Sequence, residues 1–209
     1  MFVLASASPR RIEMLKNAGY DPVVQPASII EHLPFDMSPE DATMYLALQK
    51  AQAVYEQLAG NNNLVVLAAD TVVVLDGKII GKPEDPDDAF AILSALRGRS
   101  HHVITGCCVI RSQAADDNAK FSDAAAAEEL DTAVAELLMP QKDCFYEDTE
   151  VWFKDYSDEE LWAYVNTPEP YDKAGGYAIQ GGFGKYIDHI DGDYDNVVGL
   201  PLTRVKEYL

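Results

Sequence analysis

Short apolar runs separated by polar residues indicate several β-strands. Residues 2–5 form one such run, and a longer run at 64–75 is apolar except for Asp70 and Thr71. The Asp76-Gly77 pair that follows predicts a tight hairpin turn into another strand. Further strands are predicted at residues 78–80, 102–110 and 145–154.

Helix signals occupy the intervals between these runs. A capping residue precedes proline in the pairs Ser8-Pro9, Ser38-Pro39 and Asp85-Pro86, which is typical of helix starts. Ser157 and Glu160 have the spacing of a capping box, which predicts a fourth helix start. The first three helices are predicted to end near residues 19, 60 and 98, and a terminal helix follows residue 202. This alternation of strands and helices indicates an α/β fold with a mixed sheet.

The stretch at residues 112–142 interrupts the pattern, because it is rich in alanine, aspartate and glutamate. Leu130, Val134, Leu137 and Leu138 have helical spacing within it, so a surface helix and disorder both remain open. We interpret this stretch as an acidic insertion in one domain that spans residues 1–209.

Composition limits the classes of partner. The chain has 209 residues, 48% of them apolar, which is enough for one core with up to two lobes. Its net charge of −19 repels nucleic acid polymers and anionic membranes. A small polyanion could bind only where cations are concentrated or where a metal ion neutralises it. No apolar run is long enough to span a membrane, and the three cysteines show no pairing pattern, so we expect core cysteines and a cytoplasmic protein.

Two segments have the composition of a phosphate site. At residues 4–11 (LASASPRR) a strand feeds a helix N-terminus, so free backbone N–H groups, Ser6, Arg10 and Arg11 converge. An ordinary capped helix with solvated arginines is the alternative. Lys50 lies on an apolar helix face with Ala47 and Ala51, where it either meets an acidic partner or extends to water.

Asp70 is the most unusual residue of the pattern, because it stands in the middle of an apolar strand. Burying a carboxylate costs several kcal/mol unless a cation compensates, so catalysis or metal binding is favoured. A structural ion pair is the alternative, and Lys82 is a candidate for that partner or for phosphate binding.

The glycine-rich residues 172–184 permit turns and close backbone approach, or form a flexible loop between short strands. They lack the spacing of a P-loop, since Tyr186 replaces its Ser or Thr. His101 and His102 are adjacent and would point to opposite faces of a strand, so they cannot share a metal. Cys107 and Cys108 have no neighbouring base that would support a nucleophile.

Six segments in this order resemble the Maf family of nucleotide pyrophosphatases. They are residues 4–11 (LASASPRR), 69–73 (ADTVV), 81–83 (GKP), 102–106 (HVITG), 172–181 (DKAGGYAIQG) and 197–202 (VVGLPL). The resemblance covers nearly the whole chain and fails only in the acidic stretch, which is longer than the usual family connection. It implies a twisted mixed sheet with helices in two lobes around a central cleft, similar to the inosine triphosphate pyrophosphatases.

The resemblance also implies roles for individual residues. Asp70 matches the family's proton acceptor, and cations matching its substrate-binding groups are Arg10, Arg11, Lys50 and Lys82. Glu31 matches an acidic position near the site, where it and Asp70 would bind a divalent cation, Mg²⁺ or Mn²⁺.

Thr71 and Gln180 match the family's pyrimidine group, which implies hydrolysis of dTTP and UTP to the monophosphate and pyrophosphate; Arg10 is a third specificity position. Two alternatives stay open: a 7-methyl-GTP pyrophosphatase, and a non-catalytic nucleotide-binding regulator of cell division. The expected partner is a nucleoside triphosphate, and the sequence is compatible with a homodimer.

Overall fold

One mixed sheet of seven strands organises the part of the chain that the computed structural model describes, residues 1–58, 61, 63–112 and 140–209. The strands are β1 (Phe2–Leu4), β2 (Val23–Val24), β3 (Val65–Leu75), β4 (Lys78–Ile80), β5 (Ser100–Arg111), β6 (Gln141–Phe153) and β7 (Ile187–Asp191). Their order is β2-β1-β3-β5-β6-β7, and β4 also pairs with β3. β1 is parallel to both of its neighbours, whereas the other pairings are antiparallel.

Six α-helices pack on this sheet within the described residues. They are α1 (Pro9–Asn17), α2 (Pro39–Gln57), α3 (Pro86–Leu96), α4 (Asp158–Val165), α5 (Tyr194–Val198) and α6 (Leu202–Val205). The Ser157 capping box is present in full, and the side chains of Ser38 and Asp85 also accept hydrogen bonds from their helices. The predicted helix starts and the α/β class are therefore confirmed.

The two edges of β3 differ, and this difference opens the middle of the sheet. One edge pairs with β5 continuously from Val65 to Val74. The other edge pairs with β1 through Leu67 and with β4 only from Val73 onward. Asp70 lies in the unpaired interval between these partners. The polar interruption in the sequence thus coincides with a gap in strand pairing.

The hydrophobic core is divided around this gap. One pair of clusters packs beneath α1 and α2 against the first half of β3, with Leu67 on one face and Val66 on the other. A third, aromatic-rich cluster lies against the second half of β3 and includes Phe153 and Phe183. The predicted arrangement of two lobes around a central cleft is confirmed by this division.

Gly106 lets α2 approach the sheet closely. It is the register partner of Asp70 on β5, and a Cβ atom placed on it would overlap the backbone of Thr43 and Met44 in α2. Only glycine leaves room for the helix at this distance. The close approach brings the α2 residues to the level of Asp70.

The boundaries of the acidic insertion were predicted too widely. Gln141 and Lys142 are strand residues that pair with Arg111 and Ile110, and Ser112 still accepts a hydrogen bond from Leu64, the residue before β3. Their polar side chains gave no alternating signal, so the sequence pattern placed the strand start at residue 145. The predicted surface helix at 130–138 lies outside the described residues.

The glycine-rich segment and one cysteine also differ from expectation. Residues 172–184 do not join short strands, because they form tight 3-10 turns with Gly175, Gly176 and Phe183 buried. Cys144 is exposed rather than in the core, and its Sγ atom lies 2.9 Å from Sγ of the buried Cys108, its partner in the strand register. No helix among the described residues is long and apolar enough to cross a bilayer.

Candidate active site

A cleft of about 670 Å³ lies at the gap in strand pairing. This volume is within the range of small-molecule sites. The nine residues singled out from the sequence all line it: Ser6, Arg10, Arg11, Glu31, Lys50, Asp70, Thr71, Lys82 and Gln180. Their sequence separation is large, so the fold brings them together.

Asp70 forms an ion pair with Lys50 at the floor of the cleft. The Nζ atom of Lys50 lies 2.7 Å from Oδ1 of Asp70 and 2.9 Å from Oε1 of Glu31. The Lys50 and Asp70 side chains are each 14% exposed, whereas that of Glu31 is 53% exposed. Within the described residues Oδ2 of Asp70 has no hydrogen-bond partner. Asp70 is therefore oriented through one oxygen, and the other remains available for a ligand.

Lys50, not Lys82, is the partner of Asp70. Lys50 reaches Asp70 because α2 packs against β3 and β5 through the buried Ala47 and Ala51, next to the glycine at 106. Lys82 follows β4, is exposed and forms no ion pair with any described residue. Of the two roles that the sequence left open for Lys82, the structural one is thus wrong.

Arg11 is engaged by protein oxygen atoms on three segments. Its Nε donates to the Gly199 carbonyl (2.8 Å), Nη1 to Ser6 Oγ (3.2 Å) and Nη2 to Thr71 Oγ1 (2.9 Å). Burial lowers the pKa of Arg11, and Asp70 counteracts this effect. Because a guanidinium remains charged in proteins, Arg11 stays a cation. Arg11 joins the first loop, β3 and the end of α5.

Arg10 has the opposite environment. Among the described residues it takes part in no hydrogen bond or ion pair, although it also lines the cleft. Its backbone N–H lies in the first turn of α1, where amide groups have no partner within the helix. Arg10 and Lys82 are therefore the two cations of the cleft whose side chains have no hydrogen-bond or ion-pair partner in the described part of the chain.

Lys173 is a cleft residue that the sequence reasoning missed. Its side chain is 12% exposed, and its ammonium contacts Asp172 Oδ1 (2.5 Å) and the Glu169 carbonyl (2.6 Å). Burial favours the neutral form of Asp172, but Lys173 and Arg10 outweigh it and lower the pKa of that carboxyl. Lys173 lies within the glycine-rich residues 172–184, but the sequence pattern gave no signal that its side chain would be buried at the cleft.

The glycine-rich segment is attached to the hairpin that carries Lys82. The Gly175 N–H donates to the Gly81 carbonyl (3.0 Å), and the positive φ of Gly175 (69°) suits glycine. Tyr177 contacts the buried His101 (Oη to Nε2, 2.5 Å), and His102 on the opposite strand face is exposed. Gln180 follows at the exposed rim of the cleft.

Comparisons with known proteins identify the family of this chain. A family model described as Maf-like protein matches residues 1–209. The chain belongs to the Maf family.

Two relatives of this member of the Maf family share one name. A dTTP/UTP pyrophosphatase of Thermococcus onnurineus is 41% identical over 205 residues, covering 98% of this chain and 94% of the relative. One of Caldicellulosiruptor bescii is 40% identical over 205 residues, covering 98% and 90%. A solved nucleoside-triphosphatase (dITP/XTP pyrophosphatase) of Mycobacterium abscessus is 12% identical, with a TM-score of 0.37 over 73% of each chain.

The carboxylates of this Maf family member suit a metal ion that arrives with a ligand. No group of three His, Cys, Asp or Glu side chains that could hold a metal occurs in the described part of the chain. Asp70 and Glu31 nevertheless converge on one cation, Lys50. Mg²⁺ is commonly bound by one or two carboxylates together with substrate phosphates and water. The donor set therefore fits Mg²⁺ or Mn²⁺ only when a phosphate ligand is present.

Nucleophilic catalysis by cysteine does not fit the site. Burial raises the pKa of Cys107 to about 12. The pKa of Cys108 is also raised, by the contact of Cys108 with Cys144 and by burial. Neither thiol lines the cleft. The groups that do line it, a carboxylate with one open oxygen and several cations, suit hydrolysis of a polyphosphate by water.

Proposed function

We propose that this Maf family member hydrolyses dTTP and UTP to the nucleoside monophosphate and pyrophosphate. The proposal rests on the environment of Asp70, whose Oδ1 is held by Lys50 and whose Oδ2 is available to a ligand. The same cleft contains the side chains of Arg10 and Lys82. The names of the relatives at 40% and 41% identity support the choice of substrates.

Cations in the cleft offset the charge of the molecule. The cleft contains five Lys or Arg side chains and three carboxylates, whereas the chain as a whole carries −19. A triphosphate is therefore attracted to this cleft, although the molecule as a whole is acidic. Arg10, Lys82 and the first amides of α1 bind its phosphate oxygens, because none of the residues that the structure describes competes for them.

Asp70 acts as the general base for the attacking water. Oδ2 of Asp70 accepts a proton from the water while the water oxygen forms a bond to the α-phosphorus. The bond from that phosphorus to the bridging oxygen breaks, and pyrophosphate leaves. Lys50 holds the carboxylate in place through Oδ1. Such phosphoryl transfer depends on positioning and charge stabilisation, so no covalent intermediate on the protein is required.

A divalent cation, Mg²⁺ or Mn²⁺, is part of the proposal. Glu31 and Asp70 would hold it, with the triphosphate supplying further oxygen ligands. Bound there, it would neutralise the charge that develops on the phosphate oxygens. Glu31 is exposed on the segment before α2, so it can move from Lys50 to a ligand at little cost.

Thr71 and Gln180 select the base. Gln180 lies at the exposed rim, where its neutral amide can donate to a pyrimidine carbonyl and accept from the ring N–H. A carboxylate at that place would instead favour the cationic 7-methylguanine. Arg10 sets the orientation of the nucleotide from the phosphate side.

Four further expectations belong to this proposal: a cytoplasmic location, no nucleic acid partner, no membrane partner, and a homodimer. The charge of −19 and the three free thiols support the first three. The exposed edge strand β2, with Val23 50% and Val24 41% exposed, supports the fourth.

A product assay tests the function. The purified protein is incubated with dTTP, UTP or 7-methyl-GTP, with Mg²⁺, Mn²⁺ or a chelator, and the products are separated by chromatography. We expect equimolar monophosphate and pyrophosphate, metal dependence, and higher kcat/KM for dTTP and UTP. Release of orthophosphate would refute the proposal. Preference for 7-methyl-GTP would support that alternative, and binding without turnover would support a regulator.

A further inference from the structure

A buried hydrogen-bond chain leads away from the cleft at Thr71. Oγ1 of Thr71 lies 2.9 Å from Oγ1 of Thr105, its partner in the β3–β5 register. The Thr105 hydroxyl lies 3.2 Å from the backbone carbonyl of Asn196 in α5. Thr105 and Asn196 are both 0% exposed, so the contact between them is shielded from bulk water.

The direction of these hydrogen bonds follows from the number of protons available. A carbonyl oxygen can only accept, so the Thr105 hydroxyl gives its single proton to Asn196. The proton between the two threonines must then come from Thr71. Arg11 Nη2 donates to the same Thr71 oxygen. Thr71, which lines the cleft, therefore has one lone pair left for a substrate and no proton to donate.

Asn196 keeps the end of this chain fixed. Its side-chain Nδ2 donates to the Val103 carbonyl (2.9 Å) and to Thr149 Oγ1 (2.9 Å). Gly199, three residues further on, accepts from Arg11 Nε at 2.8 Å. The contacts form a closed ring through α5, because Arg11 bonds to both Gly199 and Thr71. Rotation of the Thr71 hydroxyl would break a bond of this ring.

We propose that Thr105 is a positioning residue that, with the Asn196 carbonyl, makes Thr71 an obligate acceptor toward the substrate. Thr71 then selects a hydrogen-bond donor on the nucleoside. Two such donors are common to dTTP and UTP: the imino N3–H of the base and the 3′-hydroxyl of the sugar. This inference rests on the proposed function and deepens it, since it states the polarity with which the cleft recognises its substrate.

Substrate analogues distinguish the two donors. N3-methyl-dTTP lacks the imino N–H, and 3′-deoxy-dTTP lacks the sugar hydroxyl. For the wild-type protein we expect one of them to lose about 10-fold in kcat/KM relative to dTTP, because Thr71 Oγ1 is left without a donor. In Thr105→Val the Thr71 hydroxyl has lost its acceptor at residue 105 and can turn its proton toward the substrate. The loss in kcat/KM should therefore shrink to about 3-fold or less. Equal hydrolysis of both analogues and dTTP by the wild-type protein would overturn the proposal, as would an undiminished loss in Thr105→Val.

Matched variants separate positioning from stability. Thr43→Val removes another fully buried threonine hydroxyl, one that bonds within α2 to the Glu40 carbonyl (2.9 Å), and should leave the analogue discrimination unchanged. Thr105→Ser keeps the hydroxyl and should retain the discrimination. If Thr105→Val does not fold, Thr105→Cys, whose thiol is a weak donor, must show the reduced discrimination. A wild-type protein that hydrolyses neither dTTP nor UTP would refute the proposed function and not the ring geometry.

Discussion

At the scale of single residues, the open oxygen of Asp70 makes the sharpest prediction. Asp70→Asn removes the base and a negative charge beside the phosphates. We expect kcat to fall by about 100-fold or more, while the affinity for a non-hydrolysable dTTP analogue stays the same or improves. The measurements are steady-state kinetics and calorimetric binding.

Asp76→Asn provides the control, because Asp76 is 67% exposed and pairs with Arg99 away from the cleft. It should keep kcat within about 3-fold of the wild-type value. A folded Asp70→Asn protein with near-normal turnover would refute the role of general base.

The two adjacent arginines should respond differently to the same substitution. Arg11→Lys loses the fork that reaches Gly199, Ser6 and Thr71, and leaves a buried ammonium, so the free energy of unfolding should fall by about 3 kcal/mol. Arg10→Lys, without protein partners, should change it by about 0.5 kcal/mol or less. Urea unfolding measures both. Equal effects of the two substitutions would contradict the structural role assigned to Arg11.

This difference marks the limit of sequence reasoning at the residue scale. The spacing of residues 4–11 predicts that cations gather at a helix N-terminus, and both arginines do line the cleft. The sequence could not show which of the two arginines lacks a protein partner, because Arg11 donates to the carbonyl of Gly199, 188 residues away. Lys173 was missed for a similar reason, since its burial depends on the carbonyl of Glu169 in a turn that has no periodic pattern.

At the scale of elements, the contact between α2 and β5 should be intolerant of a single methyl group. Gly106→Ala places a Cβ atom against the backbone of Thr43 and Met44, so α2 must move and the Lys50–Asp70 pair must lengthen. We expect the free energy of unfolding to fall by about 2 kcal/mol, together with a lower kcat.

Gly81→Ala is the matched change for stability, since an added Cβ at Gly81 meets no atom within 4 Å. Its free energy of unfolding should stay within about 0.5 kcal/mol of the wild-type value. If Gly106→Ala and Gly81→Ala have the same free energy of unfolding, the close approach of α2 to β5 does not contribute to stability.

The connection between β5 and β6 gives a second prediction at this scale. Arg111 and Gln141 are paired, so the two strands end side by side. Replacing residues 113–139 by Asn-Gly leaves a short loop between Ser112 and Pro140, and kcat/KM for dTTP should stay within about 3-fold of the wild-type value. Loss of activity in a folded deletion variant would show that the insertion contributes to the site.

Elements were predicted well where local chemistry defines them and poorly where tertiary contacts do. Proline after a capping residue located three helices, and the Asp76-Gly77 turn adopts the expected positive φ at both residues (51° and 75°). The first residues of β6 are polar, so only pairing with β5 makes them a strand. The turns of the glycine-rich segment depend likewise on a distant partner, the Gly81 carbonyl.

At the scale of the whole molecule, a buried histidine makes stability depend on pH. His101 is 1% exposed and packs against Phe153 and Tyr177. Burial, with a smaller contribution from His102, lowers the pKa of His101 from 6.5 to about 3. The folded protein therefore keeps this ring neutral between those two values, whereas the unfolded chain takes up a proton. Stability contributed by the neutral ring is complete above pH 6.5 and is lost as the pH falls toward 3.

His101→Phe isolates this effect, because phenylalanine keeps an aromatic ring in the cluster and does not titrate. Carboxylates of the acidic surface also change the stability below neutral pH, but they do so in both proteins and cancel in the difference. The unfolding free energy of the wild type minus that of His101→Phe should fall by about 2 kcal/mol between pH 7 and pH 5. Urea unfolding at pH 7, 6 and 5 measures it. A difference that stays constant over this range would mean that folded His101 accepts a proton as readily as the unfolded chain does.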